Sequence, residues 1–109
     1  MAYQHKQLSE GRWQDFSLME QLANVGSEVG RSIAWRTNGY GDPSESFYRA
    51  LELIDLTIAD PKNKHRLSEI CRSREALVDW FTGNNTYNTT DQQWEAYFYQ
   101  FTYASRQNK

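Results

Sequence analysis

Apolar residues recur at spacings of three and four over four stretches of the chain, with polar, glycine- and proline-bearing segments between them. That period predicts amphipathic helices. In the third stretch Leu67, Ile70, Cys71, Leu77, Val78 and Phe81 form one stripe, and Arg74 falls in its middle. A charge at the centre of a buried face needs an acceptor. Arg74 is therefore expected to be a core charge paired with a carboxylate from another helix. Asp55, beside the stripe of the second stretch, is the first choice, because helices joined by a short turn are neighbours. Glu28, beside Val25 and Val29, is the alternative. Cys71 shares the stripe and is expected to be a buried, inert thiol.

The first stretch predicts a helix from about Arg12 to Arg36, with Trp13, Phe16, Met19, Leu22, Val25, Val29 and Ile33 on its apolar face. Gly26 and Gly30 lie on that face. Each costs about 1 kcal/mol relative to alanine inside a helix, so they are expected to admit a close neighbour. Gly39 and Gly41 end the helix. The second begins at Asp42 as cap with Pro43 in the first turn. Its stripe is Phe47, Ala50, Leu51, Ile54 and Ile58. Pro61 stops it near Ala59. Asp60 and Pro61 repeat the cap-and-proline pattern, so the third helix is expected to start at once, with Asn63 as the alternative cap, and to end at Gly83. Thr90 and Gln93 form a capping box for a fourth helix running to about Arg106. Trp94, Tyr97, Phe98, Phe101 and Ala104 make its core stripe; Tyr99 and Tyr103 point elsewhere.

This arrangement predicts an all-α fold, an antiparallel four-helix bundle. Residues 1–11 read as a flexible N-terminal segment, with Tyr3 and Leu8 as weak anchors, and residues 12–109 as one domain. At 109 residues the chain suits a single core. Aromatics are 15% of it, so large rings supply much of the core volume.

The net charge of −2 argues against a protein that coats DNA. Local basic patches stay open: Lys62, Lys64, His65 and Arg66 crowd the start of the third helix, and Arg72 follows. Cations there oppose the helix dipole. They read as a solvated end, with an anion or nucleic-acid contact as the sharper alternative. Cys71, the single cysteine, excludes an intrachain disulfide. No run of about 18 apolar residues suggests a membrane span, and no signal peptide is evident, so a cytoplasmic setting is expected. The acceptor patterns at Asn84 and Asn88 then read as coincidence in a polar loop.

Chemistry is sparse. His5 and His65 have no metal-binding partner at helical spacing, phosphate-binding glycine loops are absent, and neither serine nor cysteine has an evident base. No catalytic residue, metal or cofactor is expected. Leu53 and Leu56, on a second apolar flank of their helix, and Tyr99 and Tyr103 exceed the needs of one core. They predict an interface, either with a second copy or with a protein partner.

Residues 74–81, with Arg74 and Asp79, resemble the final motif of HEPN-type helical RNases. In that family an arginine and a histidine a few residues on mark the active helix. Asp79 stands where the histidine would be, so the resemblance implies a bundle of related shape without RNase activity. Residues 47–61 and 72–81 together are similar to small, uncharacterised prokaryotic helical-bundle proteins, a group that brings no activity with it. The resulting expectation is a non-enzymatic, self-associating helical interaction module. A nucleic-acid-associated accessory or defence-system subunit is the second expectation.

Overall fold

A computed structural model describes residues 11–107. These residues form four α-helices: α1 (Leu18–Asn38), α2 (Pro43–Ala59), α3 (Leu67–Thr82) and α4 (Asp91–Gln107). Two 3₁₀ segments, Arg12–Asp15 and Pro61–Arg66, precede α1 and α3. No strand occurs among the described residues, so the fold is all-helical. None of the helices is long and apolar enough to cross a membrane. Tyr3, His5 and Leu8 lie outside the described residues.

α1 starts six residues later than its apolar period suggested. The cause is Ser17, whose hydroxyl accepts the Glu20 N–H at 3.1 Å while the Glu20 carboxylate accepts the Ser17 N–H at 2.9 Å. This reciprocal box holds Ser17 extended and fixes the helix start. Trp13 stays in the core, but on the 3₁₀ segment instead of on α1. The other end of α1 closes on Gly39, at φ 77°, a conformation that suits glycine. α2 begins as its sequence indicates, with Asp42 accepting the Ser44 N–H at 3.0 Å and Pro43 in the first turn. Asp60 and Pro61 start a 3₁₀ turn, and the α-helical ladder of α3 opens only at Leu67. Asn63 is no cap; it is a buried side chain.

α1 is the central element, packed closely along both α2 and α4. Ser32 donates to the Pro43 carbonyl, Ser46 to the Glu28 carbonyl and Gln21 to Asp60. The late part of α1 therefore meets the start of α2, and its beginning meets the end of α2. Against α4 the approach is made possible by Gly26, where a Cβ would lie 2.6 Å from the Cβ of Phe98. Gly30 differs from the expectation of close packing on both glycines: a Cβ there would meet nothing within 4 Å.

α3 is held largely by rings. Phe81 stacks on Phe47 at 4.2 Å, and Trp80 lies 6.4 Å from Phe47 and 6.3 Å from Trp94. Arg36 of α1 places its guanidinium 4.8 Å from the Trp80 ring and 4.5 Å from the Phe81 ring, a cation–π contact to both. Large side chains keep the backbones of α3 and α4 further apart than those of α1 and α4.

Two polar clusters lie within the core. In the first, the Gln21 amide donates to the Trp13 carbonyl and to Asp60 Oδ2, each at 2.9 Å. The Asn63 amide donates to Gln21 Oε1 at 2.8 Å and to the Thr57 carbonyl at 2.9 Å. Thr57 Oγ1 accepts the Trp13 indole N–H at 2.9 Å and donates to the Leu53 carbonyl at 2.7 Å. Both amides thus have every N–H engaged, the condition under which burying them is tolerable. In the second cluster Glu28 is buried, bonded to Ser46 at 3.2 Å, to Arg31 at 2.5 Å and to Arg49 at 3.2 Å. Burial opposes the Arg49 charge, but its bonds to Glu45 and Glu28 outweigh that and hold its pKa above the usual value.

Candidate functional site

A groove of about 460 Å³ lies between α3, α4 and the loop joining them. Its existence follows from the wide spacing of these two helices, and its shape from the loop. Asp79, in the last turn of α3, anchors that loop. Its carboxylate accepts the Tyr87 N–H at 3.1 Å, and its backbone carbonyl accepts the Gly83 and Asn85 N–H groups at 3.1 and 3.2 Å. Burial pushes the Asp79 carboxyl up, but bonds from Thr86 and Tyr87 outweigh it and hold its pKa below the usual value.

Asn85 forms the second anchor. Its side chain donates to the Thr89 carbonyl at 2.9 Å and accepts the Thr89 N–H at 3.0 Å. Asn85 and Asn88 both take positive φ, 52° and 55°, which asparagine tolerates better than most residues. Thr90 and Gln93 then make the capping box, at 2.9 and 3.1 Å, and α4 begins.

On one wall of the groove Ser73 and Glu69 meet Tyr97. The Tyr97 hydroxyl donates to Glu69 Oε2 at 3.3 Å and lies 2.8 Å from Ser73 Oγ. Its single proton goes to the carboxylate, so Ser73 donates to the phenol oxygen. Burial pushes the Tyr97 phenol up; the Ser73 bond opposes this and the Glu69 charge adds to it. A phenol so raised stays protonated at neutral pH and is no base for Ser73. The chain Ser73–Tyr97–Glu69 ties α4 to α3 along this wall.

The sequence-identified residues fall in several places. Arg74 donates through Nε to Asp55 at 2.7 Å, with a longer bond of 3.4 Å from the second nitrogen. It is not a core charge: its side chain is 37% exposed and that of Asp55 47%. α3 is turned so that Ile70, Leu77 and Trp80 face inward, which rotates Arg74 and Cys71 to the surface. The expectation of a buried thiol at Cys71 is thus corrected as well. Among the described residues the buried carboxylates are Glu28, whose partners are Arg31 and Arg49 and not Arg74, and Asp60, which pairs with Lys62. Sequence reading passed over Arg49, although its three-residue distance from Ser46 and four-residue distance from Glu45 put all of them on one side of α2.

The basic residues make separate local contacts. Lys62 folds back onto Asp60 and the Gln14 carbonyl, and Arg66 pairs with Glu69 at 3.0 Å. Lys64 and His65 are exposed. Arg72 lines the groove. Among the interface residues, Leu53 is buried and belongs to the core, because α2 lies against both α1 and α3. Leu56 packs partly against the same core. Tyr99 and Tyr103 are 64% and 55% exposed, their rings 6.5 Å apart. Beside them lies a second groove, of about 290 Å³, between α1 and α4, with Val29, Ile33 and Phe98 at its floor and Gly30 at its side. Among the described residues no group of three histidine, cysteine or acidic side chains could hold a metal ion. Comparison with family models, with curated proteins and with solved structures gave no match to this chain.

Proposed function

We propose that this protein is a non-enzymatic, antiparallel helical-bundle module that self-associates through the face shared by α1 and α4. The observation that carries this reading is the exposed pair Tyr99 and Tyr103 standing beside the groove at Gly30, which Val29, Ile33 and Phe98 line together with Ser27, Glu95 and Thr102. Two protruding rings and an open notch occupy the same patch. A two-fold interface requires such a patch to be complementary to itself. A tyrosine of one copy entering the notch of the other would bury its ring and leave its hydroxyl at the wet rim. Gly30, where an added Cβ would touch nothing, gives that ring room. The exposed thiol of Cys71 suits a reducing, cytoplasmic setting.

Sedimentation equilibrium over a concentration series tests the reading. The wild-type chain is expected to reach a dimer. Tyr99→Ser with Tyr103→Ser, and separately Gly30→Leu, are expected to give monomers with unchanged helical circular dichroism. A wild-type monomer at millimolar concentration would refute the proposal, as would a dimer indifferent to all three substitutions.

A further inference from the structure

The groove between α3 and α4 lies on a different side of α4 from the Tyr99–Tyr103 pair and is not absorbed by self-association. Its walls are aromatic: Tyr87 from the loop, and Trp94 and Tyr97 from α4. Its volume of about 460 Å³ suits a small molecule.

Hydrogen-bond accounting of its polar lining shows which groups are engaged and which are open. Glu69 and Thr89 have their acceptors engaged. Glu69 accepts from Arg66 with both oxygens and from Tyr97. Thr89 Oγ1 lies between the Trp94 indole N–H at 3.2 Å and Asn85 Oδ1 at 3.3 Å, and Ser73 is engaged with Tyr97. The Gln93 side-chain oxygen accepts the Thr90 N–H, which leaves its NH₂ group unused among the described residues. The Asn88 side chain has no partner there either, and Arg72 makes no ion pair among the described residues. A guanidinium without an ion pair and two open NH₂ groups therefore line a pocket with ring walls, and the guanidinium is the charge in the lining that a ligand can pair.

We infer that this groove is a binding site for a small planar aromatic anion, its ring against Tyr87, Tyr97 and Trp94 and its carboxylate or phosphate on Arg72, Gln93 and Asn88. Flat rings stack or pack edge-on against aromatic walls. An anionic group is the acceptor that a planar guanidinium matches best, through two parallel bonds.

Amide shift mapping by NMR tests the inference, with 2-naphthoate and 2-naphthyl phosphate as anionic probes and 2-naphthalenemethanol as the neutral one. Both anions are expected to shift the amides of residues 72–76, 87–89 and 93–97, and the tighter of them identifies the acidic group. The alcohol is expected to bind about tenfold more weakly, the loss of a charge-assisted contact. Arg72→Gln, a change on an exposed helix position, is expected to bring the anions to the level of the alcohol. Ala76→Phe, which fills the groove, is expected to abolish binding of all three. Equal binding of alcohol and anions, shifts elsewhere in the protein, indifference to Arg72→Gln, or no shift at millimolar probe would each overturn the inference. The Tyr99 and Tyr103 variants should bind these probes normally, so failure of the self-association reading is separable from failure of this one.

Discussion

Replacing Asn63 by aspartate changes one NH₂ group to an oxygen and leaves size and shape nearly constant. Asn63 is 2% exposed, and that NH₂ group donates to Gln21 Oε1 at 2.8 Å and to the Thr57 carbonyl at 2.9 Å. Asn63→Ala strands Gln21 Oε1 away from water, at about 1–3 kcal/mol for a buried unsatisfied group, and leaves the Thr57 carbonyl only the Asp60 N–H at 3.3 Å. That loss, roughly 1–3 kcal/mol, is a substantial part of the about 5–15 kcal/mol by which domains of this size are stable. Asn63→Asp removes the same two donations and sets a carboxylate oxygen against Gln21 Oε1 and the Thr57 carbonyl. It is therefore expected to be the more destabilising of the two, although it is the closer isostere. Urea unfolding followed by tryptophan fluorescence measures both. Trp13 donates to Thr57 within the same cluster, so its emission should report the loss. An aspartate variant within about 1 kcal/mol of wild type, or more stable than the alanine variant, would refute the claim that the Asn63 amide is held as a double donor.

Three further outcomes follow from the packing and charge. Burial raises the Asp60 carboxyl, but bonds from Lys62 and Gln21 outweigh it and hold its pKa below the unfolded value of about 3.9. Its contribution is complete above that value and is lost as pH falls through the folded pKa, so Asp60→Asn should flatten the acid limb of a stability–pH curve measured by urea melts. Gly26→Ala is expected to destabilise by about 1–3 kcal/mol through its collision with Phe98, whereas Gly30→Ala should stabilise the monomer by up to about 1 kcal/mol; thermal melts of both separate the two glycines. Arg74→Met should change stability by no more than about 1 kcal/mol, as for other ion pairs near the surface, and a loss of several would restore the view of Arg74 as a core charge.

Helix positions were legible where local chemistry dictates them. Asp42 with Pro43, Gly39, and Thr90 with Gln93 each act within four residues of their own position, and the structure uses all of them. The start of α1 was misread because the apolar period runs unbroken through Trp13 and Phe16, while the stop signal lies in the reciprocal bonds of Ser17 and Glu20. The pattern S-x-x-E was present for that reading. Which way a helix faces is less local. Nothing within α3 says whether the Ile70–Leu77–Trp80 side or the Cys71–Arg74–Val78 side turns inward, since both carry apolar residues. The choice is made by Phe47 and Trp94 on other helices. The groove was out of reach for a similar reason: it is a gap left by the ring contacts of α3 with α2 and α4, and gaps have no residue pattern of their own.

The close approach at Gly26 also bears on the order of events in folding. α2 follows α1 across a four-residue turn, so their contacts close only a short loop. α4 reaches the same central helix from the far end of the described chain, at a greater entropic cost of closure. The α1–α2 pair is then the natural early structure, and α4 docks onto it late. A substitution at Gly26 should in that case leave the folding rate nearly unchanged and act on the rate at which the native protein opens. The tight seam between α1 and α4 would be a latch, setting the lifetime of the folded state more than the speed of reaching it.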